Sequence, residues 1–159
     1  MKMRKGFTLV ELLIVIVIIG ILAAAMLLSS GSATASAEAS NITSDLRSMK
    51  AAALMLFADS MDAYNLGSLG NGSIAYLRRY MDNPAKFANT YYQFYIETGA
   101  SGDNKWWVGF DLSAANKTRE VRQKLGARAL SIGIYKDTSS YDDSNAFTET
   151  DTEAWMVAR

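Results

Sequence analysis

The hydrophobic positions of the chain are concentrated in one block near the N-terminus. Residues 7–28 read FTLVELLIVIVIIGILAAAMLL, in which Glu11 is the only charged residue and Thr8 the only other polar side chain. A bilayer core of roughly 30 Å needs about 20 helical residues to cross it. The block therefore predicts a transmembrane helix. Basic residues precede it at Lys2, Arg4 and Lys5, which predicts that the leader stays in the cytoplasm and the rest of the chain lies outside.

After residue 37 the pattern becomes that of an amphipathic helix. Apolar residues recur at three- and four-residue spacing up to about residue 61, which places them on one face. This apolar stripe consists of Ile42, Leu46, Met49, Ala53, Leu56 and Phe57. Asp45, Arg47, Lys50 and Asp59 are predicted to lie off the stripe. Between the two blocks, Gly31 and several serines predict a bend or a softened stretch, because these residues are weak helix formers.

Beyond residue 63 the pattern favours short elements. Gly67–Gly72 is a loop by composition. Ser73 is predicted to cap a short helix that ends near Met81, and Ser113 to cap a second helix over Ala114–Leu125. Segments rich in aromatic and β-branched residues predict four strands, which are Tyr91–Glu97, Lys105–Leu112, Leu130–Lys136 and Glu153–Val157.

The predicted architecture is α+β. A long N-terminal helix, with a transmembrane half and an amphipathic half, packs on a small, mainly antiparallel four-stranded sheet. The chain divides into a leader at 1–6, a transmembrane or filament-core helix at 7–30, an amphipathic helix half at 31–62 and a globular α+β head at 63–159.

Composition argues against several classes of function. The chain has 16 basic and 16 acidic residues, no histidine and no cysteine. A zero net charge is unusual for a dedicated nucleic-acid binder. The commonest general base and the commonest metal ligand are both absent from the sequence. No nucleophile–base pair or phosphate-binding loop is apparent, so we expect a protein that is not an enzyme and that has no cofactor.

The start of the chain resembles the N-terminus of type IV pilins and type II secretion pseudopilins. Residues 5–13 read KGFTLVELL. The family pattern is a short basic leader that ends in glycine, then Phe-Thr, then a glutamate five residues into the mature chain, then an unbroken apolar helix. The resemblance covers about the first thirty residues. The disulfide-closed C-terminal loop that is common in proteobacterial pilins has no counterpart here, since the sequence lacks cysteine.

The resemblance implies a processing site and an assembly site. A prepilin peptidase would cleave between Gly6 and Phe7 and methylate the new amino group of Phe7. Glu11 would then pair with the Phe7 amine of a neighbouring subunit, since opposite charges attract strongly in a low dielectric. The implied partners are other copies of the chain, the peptidase, the inner-membrane pilus assembly machinery and the lipid bilayer. The implied location is the cytoplasmic membrane, followed by an extracellular filament that serves adhesion, twitching motility or DNA uptake.

Two alternatives remain open. The same motif occurs in secretion pseudopilins and minor pilins. A different class of protein follows from the small residues at 33–37, because Ala33-Thr34-Ala35 and Ala35-Ser36-Ala37 resemble ordinary signal-peptidase sites. Cleavage near Ala37 would leave a soluble secreted protein. The apolar block is longer than a usual signal-peptide core and contains Glu11, and both features favour the prepilin interpretation.

The head offers two weaker candidate sites. Lys117, Lys124 and Arg128 are spaced to share a helix face, which could contact DNA phosphates or an acidic patch of another subunit. A solvated helix face is the simpler interpretation. Asp142, Asp143 and Asn145 belong to an acidic loop that could hold Ca²⁺, although their spacing matches no EF-hand. An exposed acidic loop is the simpler interpretation here, and such a loop could also meet the basic face of a neighbour.

Overall fold

The computed structural model describes residues 6–59, 73–98 and 104–159. The basic leader residues at 2–5 and the predicted loop at Gly67–Gly72 lie outside the described residues. The chain forms two compact units, Met1–Thr34 and Ala35–Arg159.

The first unit contains the apolar start of helix α1, which spans Leu9–Asp59. Of the described helices, α1 is the one that is long and apolar enough to cross a membrane, with a mean hydropathy of 3.1 over its most apolar 18-residue window. The large hydrophobic side chains from Phe7 to Leu27 are 45–82% exposed. This surface therefore has the character of one that contacts lipid or other protein.

The weak helix formers around Gly31 do not break α1, which continues through this position. Farther along, hydroxyl groups donate to the carbonyl oxygens four residues earlier, from Ser40 to Ser36 at 2.9 Å and from Thr43 to Ala39 at 2.9 Å. Such bonds satisfy polar side chains inside a helix without a partner from elsewhere.

The second unit is built on a three-stranded antiparallel sheet. Its strands are β1 (Tyr92–Thr98), β2 (Asn104–Asp111) and β3 (Glu153–Val157), in the order β1-β2-β3. Val108 pairs with Phe94 on one side and with Met156 on the other. Because side chains alternate between the two faces of a strand, these three residues line the same face.

That inner face and α1 form one hydrophobic core. Five of the six residues of the apolar stripe are buried, and Phe57 packs edge-to-face on Trp106 at a centroid distance of 5.6 Å. The inner face contributes the other half of the same cluster, which includes Tyr92, Phe94, Ile96, Trp106, Val108, Phe110, Ala154 and Met156. The predicted stripe and the predicted α+β architecture are therefore confirmed.

The predicted strand at Leu130–Lys136 is wrong. Its first half is the short helix α3 (Ala129–Ile132), which ends at Gly133 with φ at 71°. A left-handed glycine is a common helix terminator because it lacks a Cβ. Tyr135 then makes one bridge to Trp155, with both backbone N···O distances at 2.8 Å. The fourth strand is reduced to this single residue at the edge of β3.

The predicted helix at Ala114–Leu125 begins late. Helix α2 spans Arg119–Gly126, and Thr118 rather than Ser113 holds the N-cap position. Asn116 has φ at 51°, a left-handed conformation that a helix interior does not accommodate. The segment from Ser73 to Met81 likewise forms two short 3₁₀ turns instead of an α-helix, with the Ser73 hydroxyl as the cap of the first.

Asp45 is buried, although the sequence placed it off the apolar stripe. Its carboxylate binds the Lys86 ammonium group at 2.5 Å and accepts a hydrogen bond from the Tyr92 hydroxyl at 2.7 Å. Burial, and then the bond to Asp45, raise the pKa of Tyr92, so the phenol stays protonated and donates. The buried charge is tolerated because both of its oxygens are paired.

We predict that Lys86→Met destabilises the second unit. The variant leaves one oxygen of a buried carboxylate without its donor, which costs about 1–3 kcal/mol of unfolding free energy. Urea unfolding of the full chain in detergent, followed by tryptophan fluorescence, measures the change, since the tryptophans lie in the strands of the sheet. Arg79→Met is the matched control at an exposed position. Equal stability of the two variants would contradict the prediction.

Gly109 lies beneath the Trp155 ring on the outer face of the sheet. A Cβ placed at residue 109 would come within 2.6 Å of Cε3 of Trp155. The glycine is therefore required by the close approach of a bulky ring and not by its own backbone conformation.

We predict that Gly109→Ala lowers the free energy of unfolding by about 1–3 kcal/mol, because overpacking forces the Trp155 ring to move. The same urea experiment measures the loss. Gly31→Ala serves as the control, since no heavy atom lies within 4 Å of a Cβ at that helical position. If Gly109→Ala unfolded at the same urea concentration as this control, the packing argument would be refuted.

Candidate processing and assembly site

Thr8 and Glu11 form a reciprocal cap at the start of α1. The Thr8 backbone N–H and hydroxyl both donate to Oε2 of Glu11, at 2.8 and 2.6 Å. The Glu11 backbone N–H donates in return to the Thr8 hydroxyl at 3.3 Å. This arrangement is a capping box, in which two otherwise unpaired N–H groups of the first turn are satisfied. The Thr-x-x-Glu spacing of Thr8 and Glu11 is the sequence signal of this cap, and it is not among the predictions made above.

The cap uses only one of the two carboxylate oxygens of Glu11. Among the described residues, no group donates a hydrogen bond to Oε1 of Glu11. The N-terminal end of a helix also stabilises a negative charge, since its N–H dipoles point towards it. Glu11 is therefore held in one orientation by its own chain, with one oxygen free to accept a cation or a further donor.

Gly6 and Phe7 immediately precede this cap. Both residues are exposed, and Phe7 is 79% exposed. No heavy atom lies within 4 Å of a Cβ built at Gly6. The structure of the chain itself does not require glycine there, so a requirement for glycine would have to come from an enzyme that binds this segment.

The three basic candidates of the head do not share a helix face. Lys117 precedes α2 and forms an ion pair with Glu38 at 2.9 Å. Lys124 is the only one of the three within α2. Arg128 follows α2, and its Nη1 donates to the Ser40 hydroxyl at 3.4 Å. The three residues therefore do not lie on one helix, because the left-handed turn at Asn116 separates Lys117 from it. Their contact with DNA phosphates or an acidic patch of another subunit stays a prediction.

The acidic candidates already have structural partners. The Ser144 backbone N–H donates to Oδ1 of Asp142 at 2.9 Å, and the Ser144 hydroxyl donates to the same oxygen. These bonds, led by the hydroxyl of Ser144, lower the pKa of Asp142. The Asn145 side chain is buried and its amide nitrogen donates to oxygens of Asp137 and Ser140 at 2.7–3.2 Å.

These contacts explain the loop without a metal ion. Asn145 ties its 3₁₀ turn to the preceding segment at Asp137 and Ser140, Asp142 caps the turn and Asp143 is exposed. Over the ranges that the structure describes, no group of three or more acidic, histidine or cysteine side chains is arranged to hold a metal. The calcium candidates Asp142, Asp143 and Asn145 thus remain a sequence-based prediction.

Comparison with known proteins bears on the N-terminal site alone. Residues 1–27 match the family model of the prokaryotic N-terminal methylation motif. Neither a comparison with curated proteins nor one with solved structures finds a match. The matched range contains Gly6, Phe7, Thr8 and Glu11 and ends before the second unit begins. Over these residues, the chain carries the prepilin-type N-terminal motif of type IV pilins and pseudopilins.

Proposed function

We propose that this chain is the structural subunit of a type IV pilus-like filament. The single observation that carries the proposal is the methylation motif at residues 1–27, which covers the start of a helix whose large apolar side chains are exposed as far as Leu27. The precursor is inserted in the membrane with the leader inside the cell. A prepilin peptidase cleaves between Gly6 and Phe7 and methylates Phe7. An assembly machine then extracts the subunits, whose apolar helices exchange lipid contacts for protein contacts in an extracytoplasmic fibre.

The geometry at Glu11 supports the proposed assembly step. Cleavage converts the amide nitrogen of Phe7 into a charged amine, and the amine of a neighbouring subunit pairs with Glu11. The free Oε1 can accept this amine while Oε2 stays bonded to Thr8. A charge-assisted hydrogen bond of this kind is roughly twice as strong as a neutral one. Thr8 acts here as a positioning residue, because it fixes the direction of the carboxylate.

The second unit favours the prepilin route over cleavage near Ala37. Ala35 and Ala39 are both buried in the core of this unit, and the helix runs through both positions. Removal of the chain up to Ala37 would cut the helix inside the packed core and discard one of these contacts.

Secretion pseudopilins and minor pilins share the motif, and the abundance of the protein on sheared surface fibres separates them from a major pilus subunit.

We predict that the protein extracted from cell envelopes begins at Phe7 and carries one additional methyl group. N-terminal sequencing and intact mass measurement test this directly. A chain that begins near Glu38 would show ordinary signal-peptide removal and would overturn the filament proposal.

Gly6→Leu should retain the leader, because a bulky side chain next to the cleaved bond obstructs the peptidase. Gly20→Leu, which adds the same side chain within the apolar helix, controls for the added bulk.

We predict that Glu11→Ala and Glu11→Gln are both cleaved but fail to form fibres. Glutamine keeps an oxygen that Thr8 can bond but removes the charge that the Phe7 amine requires. Recovery of sheared fibres, with cleavage scored in parallel by mass, is the measurement. If Glu11→Gln assembled normally while Glu11→Ala did not, capping alone would be the function of Glu11, and the charge-pairing step would have to be abandoned.

A further inference from the structure

A cavity of about 220 Å³ opens beside the second half of α1. We call it the arginine notch, and its lining consists of Ser40, Thr43, Ser44, Arg47, Arg128 and Ile132. Two guanidinium groups and three hydroxyl groups line it, and no carboxylate does. The cavity therefore has the chemistry of an anion site, since guanidinium groups bind carboxylates and phosphates through paired N–H donors.

The two arginines of the notch are not neutralised within the described part of the chain. Lys86, Lys117 and Arg119 each pair with a carboxylate. Arg47 and Arg128 have no such partner among the described residues, and the bond of Arg128 to the Ser40 hydroxyl is long, at 3.4 Å. Uncompensated guanidinium groups at the rim of a cavity are available to an external anion.

A matching group occurs on the same chain. Most acidic side chains in the described ranges accept a hydrogen bond or an ion pair within their own subunit, but, like Asp82, Asp143 does not. It is exposed and adjoins Asp142 at the start of a 3₁₀ turn. We call these two residues the acidic knob. The buried Asn145 side chain and the Asp142 cap fix the turn, and the lowered pKa of Asp142 keeps that carboxyl ionised at neutral pH.

We infer that the arginine notch of one subunit receives the acidic knob of a second copy of the chain. Each copy carries both surfaces, and within one copy they are not paired with each other. A contact between two different patches of identical subunits repeats head-to-tail and generates open helical filaments when the rotation does not close. The inference rests on the proposed filament and adds to it a lateral contact between heads. Electrostatic complementarity of this kind fixes the register of neighbours more than it adds affinity.

Charge reversal tests the contact. Arg128→Glu places like charges opposite the knob, and we expect the yield of sheared fibres to fall at least about tenfold. Asp143→Arg should cause a similar loss, and the double variant Arg128→Glu with Asp143→Arg should recover most of the yield. Arg79→Glu makes the same charge change at an exposed position outside the notch and should assemble normally. Cleavage by mass and folding by tryptophan fluorescence are checked for each variant.

A cross-link gives a second measurement that does not depend on reversed charges. The chain has no cysteine, so the variant carrying both Ser44→Cys and Tyr141→Cys, at an exposed residue beside the knob, keeps both carboxylates and contains only the introduced pair. Oxidised fibres should give a ladder of disulfide-linked multimers, and each single-cysteine variant should give none beyond dimers. Thiol cross-linking requires Cα atoms within roughly 7 Å, so the ladder reports the contact itself.

The outcomes separate the inference from the proposed function. Normal fibres from Arg128→Glu, failure of the double variant to recover, or the lack of a ladder in intact fibres would each overturn the inference. Failure of the double variant would point to another anion in the notch, such as a phosphate group. An unmodified chain that is processed at Gly6 but yields no fibres would contradict the filament proposal instead.

Discussion

Burial of the apolar stripe of α1 on the inner face of the sheet is the interaction on which the second unit depends. Three strands are close to the minimum for a stable sheet, and they need a hydrophobic face packed on something else. Leu46 and Met49 are fully buried there, as are Trp106 and Val108 opposite them. Burial of each large aliphatic side chain stabilises by about 1.5–3 kcal/mol. The stripe has to stay in register with the sheet for these contacts to form together.

Polar contacts fix that register. Glu38 and Asp45 project from α1 to Lys117, Lys86 and Tyr92, and these side chains line one cavity of about 230 Å³. The Glu38–Lys117 pair is partly exposed, and such pairs add little to stability. The Asp45 cluster differs because its carboxylate is buried, so a one-residue rotation of α1 would strand a charge in the core. The Asp45 cluster therefore contributes more to the selection of one packing arrangement of α1 on the sheet than to the net free energy of unfolding.

The sequence predicts most of this fold where periodicity alone decides the structure. The stripe from Ile42 to Leu56 and the three observed strands lie within a residue or two of their predicted places. The failures occur where a single backbone conformation intervenes. Gly133 and Asn116 adopt left-handed angles, which end one element and delay another, and alternation of side chains does not reveal either. The burial of Asp45 does not follow from local periodicity, because its partners lie 41 and 47 residues away along the chain.

The functional surfaces divide in the same way into those that a local sequence pattern predicts and those that only the folded structure brings together. Gly6, Phe7 and Glu11 follow from a linear motif, so the sequence alone is sufficient to select them. The cap between Thr8 and Glu11 is also local, and its Thr-x-x-Glu spacing was present in the sequence. In contrast, the arginine notch joins residues 40–47 to Arg128, and no pattern along the chain relates them. Surfaces made by tertiary folding require the structure.

The cap at Glu11 also bears on how processing can control assembly. A carboxylate in a hydrocarbon environment costs a few kcal/mol, and two hydrogen bonds from Thr8 together with the helix dipole offset part of that cost before any neighbour arrives. In the proposed route, cleavage then creates a positive charge at the N-terminal end of the same helix, where the dipole disfavours it. Pairing of this amine with the Glu11 carboxylate of a neighbour would stabilise both charged groups. In that route the precursor lacks this amine, so Glu11, which the Thr8 cap stabilises within a single subunit, gains its cationic partner only after the leader is removed.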